Sequence, residues 1–228
     1  MALTRPKEKD AELARWLKAA GFTPVFVPVV AYISLPEGMA ALKAALDEPW
    51  DWAVVTSPEA AARFLAALKG RPAPPVAALG AGTARVLSAA GVQPAFVPPK
   101  AYGRVLAETL PLEPGARVLW PTSARAGREL GEGLARRGAR VSRLDVYTLT
   151  ERRPSAKERS LAATAAAVML GSPSAARAWR AAGLPLLPAA AIGARTAAVA
   201  KELGFMPVSA AEAPGVEGWV AALRALFG

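Results

Sequence analysis

Residues 166–198 read AAVMLGSPSAARAWRAAGLPLLPAAAIGARTAA, and this stretch decides the fold. Two short apolar runs, AVML at 167–170 and AAAI at 189–192, each pass into a small polar turn and then a helical segment. The first turn is Gly171-Ser172-Pro173-Ser174 and the second is Gly193-Ala194-Arg195-Thr196. Such a run is the βα unit of a parallel sheet, and its turn leaves helix N–H groups unpaired beside small side chains, a setting that suits anions. The chain contains the pattern twice. Val54-Val55-Thr56-Ser57-Pro58-Glu59-Ala60-Ala61-Ala62-Arg63 copies the first turn 115 residues earlier, and Ala77-Ala78-Leu79-Gly80-Ala81-Gly82-Thr83-Ala84 copies the second 113 residues earlier.

A chain of 228 residues can bury one large core or two small ones, and the repeat favours two. Hydrophobic residues make up 53% of it, which places it among globular proteins rather than disordered tails. No stretch approaches ~20 apolar residues free of charges or prolines, and Met1-Ala2-Leu3-Thr4-Arg5 enters a strand directly, so no membrane association and a cytoplasmic location are expected. The sequence has no cysteine and no histidine, which removes disulfides, thiolate chemistry, zinc sites and imidazole acid–base catalysis. With 28 Lys+Arg against 18 Asp+Glu the formal charge is +10, which calls for an anionic partner. The arginines are scattered and not interleaved with aromatics, so nucleic acid is the weaker reading and a small-molecule anion the stronger.

Strand and helix signals alternate along the whole chain, with glycines at 21, 91, 138, 183 and 204 closing helices. Strands are predicted at 2–4, 23–30, 53–56, 76–79, 95–97, 117–120, 140–149, 167–170, 189–192 and 206–208. Helices are predicted at 39–46, 59–68, 83–90, 103–110, 125–137, 156–165, 174–182, 196–203 and 216–227, after an opening helix through Leu13, Trp16, Leu17 and Ala20. Residues 31–37 read as a connector. Leu13, Leu17 and Gly21 match Leu130, Leu134 and Gly138 at an offset of 117, so the opening strand–helix–strand corresponds to 117–147, and 53–97 corresponds to 167–208. Lobe one is therefore discontinuous, 1–30 plus 149–228, lobe two is 34–145, and 29–33 and 146–149 link them. The expected architecture is α/β: two flavodoxin-like parallel-sheet lobes joined by a two-stranded antiparallel hinge, with a ligand cleft between them.

The motifs TRP at 4–6, DWAVVTSPEAA at 51–61, ALGAGTA at 78–84, VLWP at 118–121, DVYTL at 145–149, GSPSAA at 171–176 and AIGARTA at 191–197 resemble, in this order and spacing, the uroporphyrinogen-III synthase family. The resemblance covers essentially the whole chain. It departs in placing Glu59 where the later copy of the turn has Ser174, and in a first strand that begins almost at Met1. The resemblance implies a cofactor-free lyase of tetrapyrrole biosynthesis. Such an enzyme closes linear hydroxymethylbilane to a macrocycle with loss of water, inverting the last pyrrole ring through a spiro intermediate. That substrate carries eight carboxylates, which agrees with a basic chain whose helix mouths are lined by Gly, Ser and Thr. A monomer is expected.

Val146-Tyr147 resembles the family's Val-Tyr pair, which implies that Tyr147 gives the proton to the departing hydroxyl; surrounding positive charge is expected to lower its pKa. The alternative for Tyr147 is a hinge residue that only packs. Ser172 and Ser174 form an N-cap pair able to hold a propionate, and Ser57 is their counterpart, opposed by Glu59. Thr83 and Thr196 are each expected to cap the helix they begin. Gly80 and Gly193 let a ligand approach the backbone, and Arg5 is placed to grip a carboxylate with its fork. Trp16, Trp120, Trp179 and Trp219 read as packing. The competing function is a non-catalytic module that binds tetrapyrroles or polycarboxylates.

Overall fold

In the computed structural model, which describes residues 1–213 and 215–228, the chain opens with β1 (Ala2–Leu3), α1 (Ala11–Ala19), β2 (Val25–Phe26), β3 (Val30–Ser34) and α2 (Pro36–Ala45). It continues through β4 (Trp52–Val55), α3 (Pro58–Leu68), β5 (Val76–Ala78), α4 (Ala81–Ala89) and α5 (Gly103–Thr109). β6 (Arg117–Ser123), α6 (Glu129–Arg136), β7 (Arg140–Glu151), α7 (Ala156–Ala163) and β8 (Val168–Leu170) follow. The end is α8 (Pro173–Ala181), β9 (Ala189–Ala191), α9 (Ala194–Glu202), β10 (Val208–Ala210) and α10 (Val216–Arg224). Among the described residues no helix is long and apolar enough to cross a membrane.

The chain divides into two compact units, Met1–Ala31 with Thr150–Gly228, and Tyr32–Leu149. The first unit holds a sheet of order β10-β9-β8-β1-β2, every neighbouring pair parallel. The second holds a sheet of order β3-β7-β6-β4-β5, in which β7, β6, β4 and β5 are parallel and Phe96 adds a single parallel bridge beyond β5 at Ala77. With the repeat as guide, β1, β2, β8, β9 and β10 correspond to β6, β7, β4, β5 and Phe96. Both sheets then have the order 2-1-3-4-5, the flavodoxin-like arrangement. β3 is the extra strand at the edge of the second sheet. Leu35 N–H donates to Val146 C=O and Arg152 N–H to Val29 C=O, so β3 and β7 run antiparallel.

Strand residues alternate between two apolar layers, which is why these short strands read as continuous hydrophobic runs. In the second unit Ala53, Val55, Val76, Ala78 and Leu119 face Leu42, Phe64 and Leu87 of α2, α3 and α4. Val54, Ala77, Val118 and Trp120 face Leu106, Leu110, Leu130 and Leu134 in and beside α5 and α6. In the first unit Leu3, Met169 and Ala190 pack on Leu13 and Leu17 of α1 and Trp219 and Leu223 of α10. Each fully buried Val, Leu, Met or Phe among them stabilises the fold by about 1.5–3 kcal/mol relative to exposure. Trp120, Trp179 and Trp219 are buried, whereas Trp16 is 41% exposed on the surface of α1.

Several elements differ from the sequence reading. β2 spans only Val25–Phe26, at the edge of its sheet; Val25, Val27 and Val29 donate to the carbonyls of Met1, Leu3 and Thr4, and Pro24 and Pro28 fall at the alternate positions on the open edge, where no donor is needed. At 95–97, between Pro94 and Pro98, only Phe96 forms a bridge. Residues 31–37 are not a connector: Val30–Ser34 form β3, and Pro36 starts α2 where a missing N–H does no harm. β6 runs on through Ser123, and α6 begins only at Glu129, after Gly127.

Candidate functional site

The candidate site residues sit at the carboxyl end of a strand, in the turn that follows or in the first turn of the next helix, with Tyr147 inside β7 opposite Ser123, the last residue of β6. In the second unit Ser57 caps α3, its Oγ accepting the Ala60 N–H at 3.0 Å, with Pro58 as the first helical residue. The Ser57 hydroxyl lies 2.9 Å from the Tyr147 phenol oxygen. What aims Tyr147 there is a break in register between β6 and β7. Thr122 pairs with Asp145 and Ser123 with Tyr147, so Val146 is skipped and the ring beyond it is turned toward the end of β6. Tyr147 is 7% exposed and packs in the layer with Phe64 and Leu87.

Three further residues converge on that phenol. Arg63, one turn along α3, places its guanidinium 4.8 Å from the centre of the Tyr147 ring, and the Ser123 hydroxyl, at the end of β6 where Ser123 pairs with Tyr147, favours the ionised phenol. The Tyr32 ring is tilted against it at 6.2 Å. Burial pushes the phenol above its ordinary value; the Ser57 hydrogen bond pulls it down, Glu59 pushes it up, and Arg63 and Ser123 pull it down. This corrects the expectation that positive charge lowers the pKa of Tyr147: desolvation of the phenolate outweighs the arginine.

Gly80 is the N-cap of α4 at φ +98, a conformation that favours glycine, and a Cβ there would sit 3.0 Å from that of Ala101. Neither Thr83 nor Thr196 caps its helix. Gly80 and Gly193 hold the cap positions, which puts both threonines at the third helical residue, 2% and 3% exposed and turned into the protein.

In the first unit Ser172 caps α8, its Oγ accepting the Ala175 N–H at 3.1 Å, and it lies 2.9 Å from the Ser174 hydroxyl. Gly193 is the N-cap of α9. Arg5 reaches the same region, its Cδ lying 3.4 Å from where a Cβ on Gly171 would be. Its fork is occupied within the chain: Nε donates to Asp10 Oδ1 at 2.7 Å, and the guanidinium stacks 5.4 Å from the Trp219 ring centre. Burial pushes the Asp10 carboxyl up and Arg5 pulls it back.

Sequence reasoning missed Ser123 and Arg63, while Tyr32, read from the sequence as the fallback proton donor, lies against the Tyr147 ring instead. For Ser123 the signal was present: Thr122-Ser123 end an apolar strand as Thr56-Ser57 do. A cavity of about 700 Å³ lined by Leu65, Pro72, Pro75 and Val92 lies at the opposite, amino end of β5, and none of the residues read from the sequence lines it.

The family model described as uroporphyrinogen-III synthase HemD matches residues 11–221. The chloroplastic uroporphyrinogen-III synthase of Oryza sativa subsp. japonica is 36% identical over 241 residues, covering 96% of this chain and 78% of the relative. The chain belongs to the uroporphyrinogen-III synthase family. It is thus a member of a family of lyases of tetrapyrrole biosynthesis. Solved structures of uroporphyrinogen-III synthases share its fold. A mutant enzyme from Thermus thermophilus aligns with a TM-score of 0.58 at 21% identity over 99% of this chain and 97% of its own. The Helicobacter pylori protein aligns with a TM-score of 0.66 at 21% identity over 91% and 94%.

Proposed function

We infer that this chain closes linear hydroxymethylbilane to uroporphyrinogen III, expelling water and inverting the last pyrrole ring through a spiro intermediate. The observation that carries this reading is the family match along residues 11–221. The Tyr147–Ser57 hydrogen bond at the carboxyl end of its sheet supplies a proton donor. Tyr147 gives its phenolic proton to the substrate's hydroxyl, the C–O bond breaks, water departs, and the electron-rich pyrrole takes up the deficit as an azafulvene. Ser57, Ser123 and Arg63 steady the phenolate, and the proton released when the last ring rearomatises restores the phenol. The net reaction expels only water. In this reading the chain acts as a cytoplasmic monomer on a small molecule, without cofactor, nucleic acid or membrane. Freshly made hydroxymethylbilane mixed with the protein gives the type III macrocycle if the reading is right; the type I isomer alone, as forms spontaneously, would leave a binding module.

Substrate carboxylates are held, in this proposal, by backbone N–H groups at the mouths of α3, α4, α8 and α9, by Ser172 and Ser174, and by diffuse positive charge. Support comes from the composition of these turns, which are rich in small and hydroxyl residues, on a chain of formal charge +10. Truncating one hydroxyl, as in Ser172→Ala, is expected to weaken binding by only about 0.5–1.5 kcal/mol. Added salt is expected to weaken it further, because it screens exposed charge. An affinity measured by titration that does not change with ionic strength would contradict this.

A further inference from the structure

The two copies of the Ser-Pro turn differ in one respect that the fold makes significant. SPEAAARF at 57–64 aligns with SPSAARAW at 172–179, so Glu59 and Arg63 stand where the other unit has Ser174 and Ala178. In the copy beside Tyr147 the two charged residues close on each other, Arg63 Nη1 donating to Glu59 Oε2 at 2.7 Å. In the other copy the hydroxyl pair Ser172 and Ser174 takes that place. Taking Tyr147 as the proton donor, we propose that Arg63 is its positioning residue and Glu59 the counter-charge that tunes it. One copy of the turn is thereby specialised for proton donation, while its twin serves carboxylate binding.

The geometry gives Arg63 several anchors and one ring to hold. Its Nε donates to Ser34 Oγ at 3.1 Å, its Nη2 to the Tyr32 carbonyl at 3.4 Å, and its Nη1 to the Glu59 carbonyl as well as the carboxylate. The guanidinium is fixed between α3 and β3 with its face toward Tyr147, and both side chains of the ion pair are largely buried, at 13% and 11% exposure. An arginine so held presses the phenol ring toward Ser57 and meets the negative charge that appears when the proton leaves. The Glu59 carboxylate, on the same helix, keeps that positive charge from drawing the proton off in the resting state.

The other groups around the ring do not duplicate this role. β6 contributes the Ser123 hydroxyl and β3 the neutral Tyr32 and Ser34. On β7 itself Arg143 and Asp145 are paired, and Arg143 also donates to the Ser123 carbonyl. The α2 and α4 residues of the same packing layer, Met39, Leu42 and Leu87, are apolar.

The test separates tuning from simple scaffolding, because loss of either partner breaks the same ion pair yet leaves opposite charges behind. In a Tyr32→Phe, Tyr102→Phe background Tyr147 is the sole tyrosine, and its phenolate absorbance can be titrated directly. Arg63→Met is expected to move that titration to higher pH and to lower kcat about 10–100-fold with KM within about 3-fold. Glu59→Gln is expected to move it to lower pH, and Arg63→Lys, which keeps the charge, to return it toward the parent. Shifts in the same direction for Arg63→Met and Glu59→Gln, or no shift in either, would overturn the proposal. Should Arg63→Met fail to fold, Glu59→Gln decides alone, and an unmoved or raised midpoint counts against the tuning role. Near-normal turnover of Tyr147→Phe would instead remove the donor reading, whatever the titrations give.

Discussion

Tyr147→Phe is expected to slow ring closure by roughly 10²–10⁴-fold, the usual range for losing a general acid, while leaving the fold and substrate binding nearly unchanged. The substitution removes one oxygen and keeps the ring that packs with Phe64 and Leu87 under Arg63. Ser57 loses a partner at 2.9 Å but still accepts the Ala60 N–H, so the cost to stability is expected to be only about 1 kcal/mol. The chain has no histidine or cysteine, which leaves Tyr, Lys, a carboxylic acid, water or the substrate's own carboxyl groups as proton sources. Among these Tyr147 is a buried hydroxyl set between two serines and an arginine. Because burial raises its pKa above the ordinary phenol range, the proton stays on through neutral and mildly alkaline pH. Any fall in kcat on that side of neutrality must then come from another group. Single-turnover measurement of ring closure checks this, and a Phe variant with near-normal turnover would reduce Tyr147 to a packing residue, with the substrate's carboxylates as the leading proton source.

The doubly wound sheets were legible because the chain states the same βα turns twice and because the inner strands β4, β5, β8 and β9 read as uninterrupted apolar runs. Strand lengths were less so. The stretch 23–30 is as apolar as a strand should be, yet β2 is only Val25–Phe26, because its length is set by pairing with β1, itself only Ala2–Leu3. The threonines show a second limit. Thr83 and Thr196 sit where a capping residue is commonly found, but a glycine three residues earlier takes each cap, and the threonine falls on the buried side of the first turn.

For the candidate site, each turn could be read from its residues, but what the turns face could not. Glu59 read as a carboxylate opposed to anion binding; its pairing with Arg63 follows from the i, i+4 spacing within α3. That this pair lies against Tyr147 depends on β7 lying beside β6, on β6 lying beside β4, and on the skipped Val146, none of which is encoded locally. Arg5 illustrates the converse. Its type and place suggested a grip on a carboxylate, and the fold supplies one from its own chain, Asp10.

Gly38→Ala is expected to destabilise the second unit by about 3 kcal/mol, at the upper end of the range for overpacking a filled interior. Gly38 lies in the first turn of α2, and a Cβ there would fall inside contact distance of the Asp145 carbonyl oxygen and carbon and 3.2 Å from Val146 Cα. These are backbone atoms of a strand fixed on one side by β6 and on the other by the Leu35 N–H bond to Val146, so the clash cannot be relieved by a rotamer change. α2 would have to lift away from β7, taking Leu42 and Met39 out of the layer that also holds Tyr147. Gly82→Ala is the matched control, a helical glycine in the same unit whose added Cβ would meet only Pro58 Cγ at 3.9 Å. It is expected to be neutral or to stabilise by up to about 1 kcal/mol, since alanine gives up less backbone freedom than glycine. In thermal melts the Gly38 variant should fall roughly 5–10 °C below the parent and the Gly82 variant should not. Coincident melts for parent and Gly38→Ala would mean that α2 can move off Asp145 at no cost, and that the seat of β7 beneath it does not hold Tyr147 in place.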